Sequence, residues 1–170
     1  YRQLFYCNQV IDNMNTLGLD LFEDKEEAEQ ILGQALFIRG VAFWYIAGSF
    51  GRGPLMTSST ANGPIAEQEE IYQQALLDFL EAEKYLPEVW TGDDLGRVTL
   101  GGAKGMAARI YMQLAGYYKR PDVNDPTKAQ EYWQSAKDKM EEIFDLNLYS
   151  LVADYKDNFT MVYENNPESL

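Results

Sequence analysis

Three pairs of adjacent carboxylates, Glu26/Glu27, Glu69/Glu70 and Glu141/Glu142, are the first candidates for chemistry in this 170-residue chain. Two carboxyl groups facing each other across a pocket can divide general acid and general base work on a glycosidic bond. Each of these pairs falls on a helix turn whose phase points it at solvent, so all three are read as solvated faces. The chain has no histidine, and so lacks the side chain that titrates near neutral pH unaided. Cys7 is the only cysteine; with no histidine to activate it and no second thiol to pair with, it is read as a core residue. Asp122, Asn124 and Asp125 put hard oxygen ligands in one short loop. Ca²⁺ needs about six to eight oxygens, and EF-hand spacing with its glycine is missing, so a solvated loop is expected. No catalytic residue, no metal and no cofactor is expected.

Binding chemistry has two further candidates. Trp90, followed by Thr91, Gly92, Asp93 and Asp94, combines a ring for the face of a sugar with carboxylates for its hydroxyls. Tryptophan is highly buried on average, so the leading expectation is that Trp90 folds back over the neighbouring helices. Tyr117 and Tyr118 suggest the same use and are expected instead to pack a helix end.

These residues need a scaffold, and the composition allows one. With 46% hydrophobic and 14% aromatic residues the chain can bury a core, which excludes disorder as the main state and fits one domain over residues 1–170. The formal charge of −13, with no compact Lys/Arg cluster to offset it, counts against nucleic acid as a partner. The longest uncharged apolar run, Val41 to Ala47, is too short to span a bilayer. The chain starts at Tyr1, without a basic segment leading into an apolar one, and ends in the polar stretch MVYENNPESL. It is read as an interior segment of a longer protein.

The apolar spacing predicts five helices. The first, Tyr1 to Leu17, carries Leu4, Cys7, Ile11 and Met14 on one stripe and stops at Gly18. The second starts at Asp24 or Lys25 and is apolar all round in its later half, where Phe43, Trp44, Tyr45 and Ile46 cluster; that pattern predicts burial on every side. It stops at Gly51-Arg52-Gly53-Pro54. A loop from Gly48 to Pro64, rich in Gly, Ser, Thr and Pro, follows. The third helix, Ala66 to Tyr85, faces inward through Tyr72, Ala75, Leu76, Phe79 and Ala82, and Leu86-Pro87 closes it. Thr99 caps the fourth, Leu100 to Tyr118, whose small residues allow close approach of a neighbour. The fifth, Thr127 to Asp145, faces inward through Ala129, Tyr132, Trp133, Ala136, Met140 and Ile143. The fold class is all-α, with Tyr149 to Ala153 the single stretch that alternates like a strand.

Helices joined in pairs suggest tetratricopeptide-like repeats. That pattern has a small residue in helix A and, in helix B, an alanine, an aromatic four on, an alanine three later and often a proline. Ala75, Phe79, Ala82 and Pro87 meet all of it, and Ala129, Trp133 and Ala136 most of it. Gly40 with Phe43, and Ala108 with Tyr111, would supply the helix A positions. A plain repeat separates the two small residues by about 12 positions. Ala75 follows Gly40 by 35 positions and Ala129 follows Ala108 by 21, so these are helix pairs with long inserted loops, and inserted loops are where binding residues usually sit.

The order of local motifs resembles the SusD/RagB family. The resemblance rests on Tyr1-Arg2 with Cys7-Asn8, then Arg39-Gly40 with Phe43 and Trp44, then Phe50-Gly51-Arg52-Gly53-Pro54-Leu55. Glu70-Ile71-Tyr72 and Leu86-Pro87 come next, followed by Gly96-Arg97-Val98-Thr99, Gly102-Ala103 and Ala108-Arg109-Ile110-Tyr111. Tyr149-Ser150-Leu151, Asp154-Tyr155, Phe159 and Asn166-Pro167-Glu168 complete the order. Arg52-Gly53 departs from it, because an acidic and a β-branched residue are usual there, and Gly102 and Gly105 loosen a helix normally richer in alanine. The resemblance implies an α-α superhelix in a cell-surface, outer-membrane lipoprotein of Bacteroidetes, without catalytic activity. Such a protein holds a nutrient, usually an oligosaccharide and in some members a peptide, as the lid of a SusC-like TonB-dependent transporter. It further implies a lipid anchor and ligand-contacting aromatics outside this segment. A tetratricopeptide-type adaptor for peptides is the alternative from another class.

Overall fold

The computed structural model describes residues 2–168; Tyr1, quoted above with Arg2, and the terminal Ser169 and Leu170 lie outside the described residues. Five helices form in chain order: α1 (Arg2–Leu17), α2 (Lys25–Phe50), α3 (Gln68–Ala82), α4 (Leu100–Tyr118) and α5 (Pro126–Asp145). Local chemistry sets their ends. Gly18, at φ +82°, takes the chain out of α1. Asp24 caps α2 by accepting from the Glu27 N–H at 2.9 Å, and Gly51, at φ +73°, ends it. Glu67 and Glu70 form a capping box that starts α3 at Gln68, two residues later than the apolar spacing predicts. Thr99 and Asp125 cap α4 and α5.

Each helix runs antiparallel to the next. Gln3 of α1 reaches the Ile38 carbonyl in the second half of α2, while Gly33, early in α2, lies against Tyr85 and Leu86 just past the end of α3. Tyr72 and Glu83 of the α3 region meet Gln113 and Lys104 of α4 respectively. Tyr118, at the end of α4, meets Lys128 at the start of α5. The core lies between α1, α2, α3 and α4, around Leu4, Phe43, Ile71, Phe79, Ile110 and Leu114, all fully buried. A second apolar cluster of Ile11, Met14, Leu32, Leu36, Ala82, Leu86 and Ala103 extends it toward the opposite ends of the helices.

Length and apolarity would let α2 cross a bilayer, its most apolar 18-residue stretch having a mean hydropathy of 1.4, but half of that stretch is buried inside the protein. Burial is not all-round as the composition suggested. Phe43 and Ala47 are buried, whereas Phe50 is 70% and Tyr45 62% exposed, because α1 and α3 cover only part of the helix. Two-residue strands, Gly53–Pro54 (β1) and Ile65–Ala66 (β2), pair antiparallel and close the base of the inserted loop. No strand forms at Tyr149 to Ala153, where the chain turns back on a short 3-10 segment at Tyr155–Phe159.

One polar cluster crosses this apolar interior. Arg39 of α2 donates to both carboxylate oxygens of Asp78 in α3 at 2.8 and 2.7 Å, and to Oδ1 of Asn8 in α1 at 2.9 Å. The same guanidinium reaches the Thr57 carbonyl at 3.4 Å, and Asn8 donates to the Met56 carbonyl at 2.8 Å. Burial pushes the Asp78 carboxyl up from its ordinary value, against the pull of Arg39 and Gln74. One turn along α1, Asp12 accepts from the Ser59 N–H and hydroxyl, both at 2.7 Å, and from the Ser58 hydroxyl at 3.2 Å. The Ser59 N–H and hydroxyl hold its carboxyl below the usual aspartate range. Three helices and the inserted loop are thereby tied at one point.

Close approach of α2 and α3 depends on Gly40, where an added Cβ would sit 2.9 Å from the Phe79 ring. At Gly48, in the same helix, the nearest atom to an added Cβ is the Tyr72 hydroxyl at 3.5 Å, an ordinary contact. Gly40→Ala is expected to destabilise by about 1–3 kcal/mol through overpacking. Gly48→Ala should be neutral or stabilise by up to about 1 kcal/mol through helix propensity. Urea unfolding of the two variants against wild type checks the contrast.

Candidate functional site

The α3–α4 loop is drawn together by a hydrogen bond from the Leu100 N–H to the Pro87 carbonyl at 2.8 Å. Gly92 and Gly96 supply positive φ values of 62° and 91°. Trp90 is half-buried and folds back across its own loop, with Nε1 donating to the Val98 carbonyl at 2.7 Å. The Arg97 guanidinium stands 5.4 Å over its ring, and Arg97 also pairs with Asp94 at 2.8 Å.

The facing wall is the C-terminal arm, and it is built by local closure. Ser150 N–H donates to the Pro167 carbonyl at 2.9 Å and Val152 N–H to Glu168 Oε2 at 3.0 Å. Asn166 accepts from the Glu168 N–H at 2.8 Å and donates to Asn158 at 2.9 Å. Tyr149 lies so close to the first turn of α4 that an added Cβ at Gly101 would fall on its hydroxyl. That hydroxyl lies 3.4 Å from Thr99 Oγ1. Between loop and arm is a cleft of about 330 Å³, lined by Glu88, Trp90, Arg97 and Thr99 on one side and by Tyr149, Asn165, Asn166 and Pro167 on the other. Aromatic carbon, two amides, a carboxylate and a guanidinium share one concavity, which suits an amphipathic, hydroxyl-bearing molecule. Asp93 and Asp94 sit on the 3-10 turn Gly92–Asp94 and are not part of the lining.

The other pair of candidate rings is at the far end of α4. Tyr118 is buried and stacked on Tyr132 of α5 with centroids 5.6 Å apart, and Tyr117 packs edge-on to it at 5.3 Å. Arg120 lies 5.1 Å over Tyr117. The Tyr118 hydroxyl donates to Glu69 and accepts from Lys128. Tyr118 thus joins α3, α4 and α5.

Elsewhere the expected faces are modified. Glu26 and Glu27 are exposed. Glu70 caps α3, while Glu69 is drawn onto Tyr118 and Lys128. Glu141 pairs with Lys137 on the surface, and Glu142, itself still exposed, pairs with Lys104 and Lys139, both nearly buried and both also paired with Glu83. Lys104 and Lys139 hold the Glu142 carboxyl below its usual range despite the opposing effect of burial. Helical phase alone hid Glu69 and Glu142, because their partners come from other helices. Asp122 is occupied by Arg120 and Asp125 by capping α5; among the described residues no group of three or more His, Cys, Asp or Glu could hold a metal ion. Cys7 is buried, and burial pushes its thiol up, away from the reactive thiolate.

The residues quoted as motif positions are placed as follows. Ala75, Phe79, Ala82, Ala108 and Ala129 are buried, with Gly40 and Phe43, and Tyr111 is half-buried beside Tyr132. Pro54 lies in β1, and Gly96, Arg97 and Thr99 form the wall of the cleft. Trp133, read above as facing inward, is 40% exposed; Tyr132 takes the inward position because α5 is covered on one side only. Tyr149 and Asn165, on the opposite wall, were not among the candidates, since they lie more than fifty residues from Trp90. Their one trace in the sequence is the motif order, which contains Tyr149 and Asn166-Pro167.

Comparison with known proteins gives consistent matches. A SusD-like family model, described as starch-binding associating with outer membrane, matches residues 1–112. The SusD-like protein P25 of Formosa agariphila is 25% identical over 173 residues, covering 99% of this chain and 29% of that protein. A SusD superfamily protein from Bacteroides vulgatus has a crystal structure that matches with a TM-score of 0.76 at 26% identity, covering 98% of this chain and 33% of the other. A laminarin binding SusD-like protein shares the fold, with a TM-score of 0.77 at 19% identity, covering 98% of this chain and 34% of the other. The chain therefore spans about a third of the length of each of these proteins.

Lys128, at the far end of α4 from the cleft, gives the helix stack a readable titration. Its hydrogen bond to Tyr118, reinforced by Glu69, pushes its pKa from 10.5 up to about 12. The folded state thus favours the charged amine, and this contribution is complete below pH 10.5 and lost as pH rises toward 12. The side chain is 41% exposed, so solvent screening limits the contribution to under about 1 kcal/mol. Tyr118→Phe is expected to return Lys128 toward 10.5 in an NMR titration of Nζ. The stability difference between the two proteins should shrink across that pH window.

Proposed function

The chain belongs to the SusD-like family, and from that premise we propose that it is the helical scaffold of a cell-surface glycan-binding protein. In this reading it is one domain, an interior segment of a longer chain carried on the outer membrane by an N-terminal lipid anchor beyond the segment. The protein holds an oligosaccharide and partners a SusC-like TonB-dependent transporter during uptake. The observation that carries the reading is the family match over residues 1–112, whose description joins starch binding to the outer membrane. The fold shared with a laminarin binding protein supports the ligand class.

A binding rather than catalytic role accords with the sequence, which has no histidine to serve as an unassisted base. Of the adjacent carboxylate pairs, Glu69 is occupied by Tyr118 and Lys128, and Glu142 by Lys104 and Lys139.

Affinity electrophoresis of the full-length protein, purified without its transporter, tests the reading. Retardation by one or more polysaccharides in a panel that includes laminarin is expected. No retardation by any glycan, together with measurable binding of peptides, would replace this reading with a peptide-capturing one.

A further inference from the structure

The concavities of this chain differ in what they leave available. The groove between α1 and α2 is nearly all carbon, lined by Tyr6, Val10, Ile31 and Ile38, and offers a polyol little to bond. The groove over Arg39 and Asp78 contains charges already committed to each other. The cleft between the α3–α4 loop and the C-terminal arm differs from both. Its ring carbon and its polar groups line one space of about 330 Å³, near the lower end of ligand pockets, which run from about 300 to 1,000 Å³.

We propose that this cleft is a saccharide subsite, formed by Trp90, Arg97 and Glu88 on one wall and Tyr149 and Asn165 on the other; the proposal rests on the glycan-binding reading above. Trp90 has its N–H committed to Val98 and the Arg97 guanidinium over one side of its ring, so what it offers a sugar ring is the carbon that lines the cleft. Hydroxyls of the same ring can bond the Asn165 amide and the Glu88 carboxylate, one from each wall, and the guanidinium nitrogens of Arg97 that its pairing with Asp94 leaves over. The two walls meet at the start of α4, where Thr99 of one touches Tyr149 of the other. Trp90 and Arg97 are set by the loop's own turn, and Tyr149 by its contact with Gly101 and Thr99. Walls already joined to each other lose less freedom when a ligand bridges them than separate ones would.

The test uses the full-length protein and the polysaccharide panel, followed by titration with an oligosaccharide of whichever glycan retards it. Trp90→Phe keeps a ring, and Trp90→Ala removes it. Asn165→Gly removes the amide at a residue whose φ of +57° glycine adopts without strain. Trp90→Ala and Asn165→Gly should each weaken binding by about fivefold or more, the loss of roughly one hydrogen bond or ring contact. Trp90→Phe should be intermediate, and the thermal midpoint of Asn165→Gly should equal that of wild type. Wild-type binding that survives unchanged in Asn165→Gly and Trp90→Phe would overturn the subsite while leaving the glycan reading intact. A wild-type protein that no glycan retards would overturn both.

Discussion

The Arg39 guanidinium sits where water scarcely reaches it, 7% exposed in the middle of an apolar bundle, and the surrounding architecture is arranged to satisfy it. Asp78 meets it with two parallel hydrogen bonds from α3, Asn8 with a third from α1, and the Thr57 carbonyl comes from the inserted loop. A buried ion pair adds little net stability compared with well-packed carbon, but removing one partner leaves a bare charge and is severe. Its structural effect is specificity. The guanidinium is satisfied in one mutual arrangement of α1, α2, α3 and the loop, and Asp12 with Ser58 and Ser59 extends the same tie to the loop's outer half.

The remaining helices are joined by polar ties of a different kind, set at the margins of the stack rather than at its centre. Glu83, Lys104, Lys139 and Glu142 link α3, α4 and α5 at one end, and Glu69, Tyr118 and Lys128 link the same three at the other. Apolar burial brings the helices together, and these charged ends fix how far each can slide along its neighbour. The walls of the cleft beside Trp90 extend from the start of α4 and from the arm packed on Gly101.

Much of this organisation can be read in the residues themselves. Period locates all five helices, and Thr99 and Gly51 mark two of their ends because they act on the backbone beside them; the capping role of Asp125 is not legible there. Gly40 and Phe79, 39 positions apart, fall into contact as a repeat pattern would have them. What depends on distant partners is harder to see. Glu142 and Lys139 look like one more solvated face until α4 supplies Lys104. Tyr45 looks buried because composition does not reveal how many neighbours a helix has. The short pairing of Gly53–Pro54 with Ile65–Ala66 has too few residues to show any period. In the cleft, Trp90 is legible as a candidate but beside Asp93 and Asp94, which do not line it, whereas Tyr149 and Asn165 arrive only through the fold of the arm.

The relatives of this helical stack in the SusD-like family are about three times as long, and within the stack the buried Arg39–Asp78 pair couples α2 to α3. A double-mutant cycle on Arg39→Met and Asp78→Leu, followed by urea unfolding, tests that claim most directly. Each single substitution should cost about 3–5 kcal/mol, and the double variant should lose far less than the sum, because both buried charges leave together. Additive losses, agreeing to within about 0.5 kcal/mol, would show that the two residues act independently and would contradict the account.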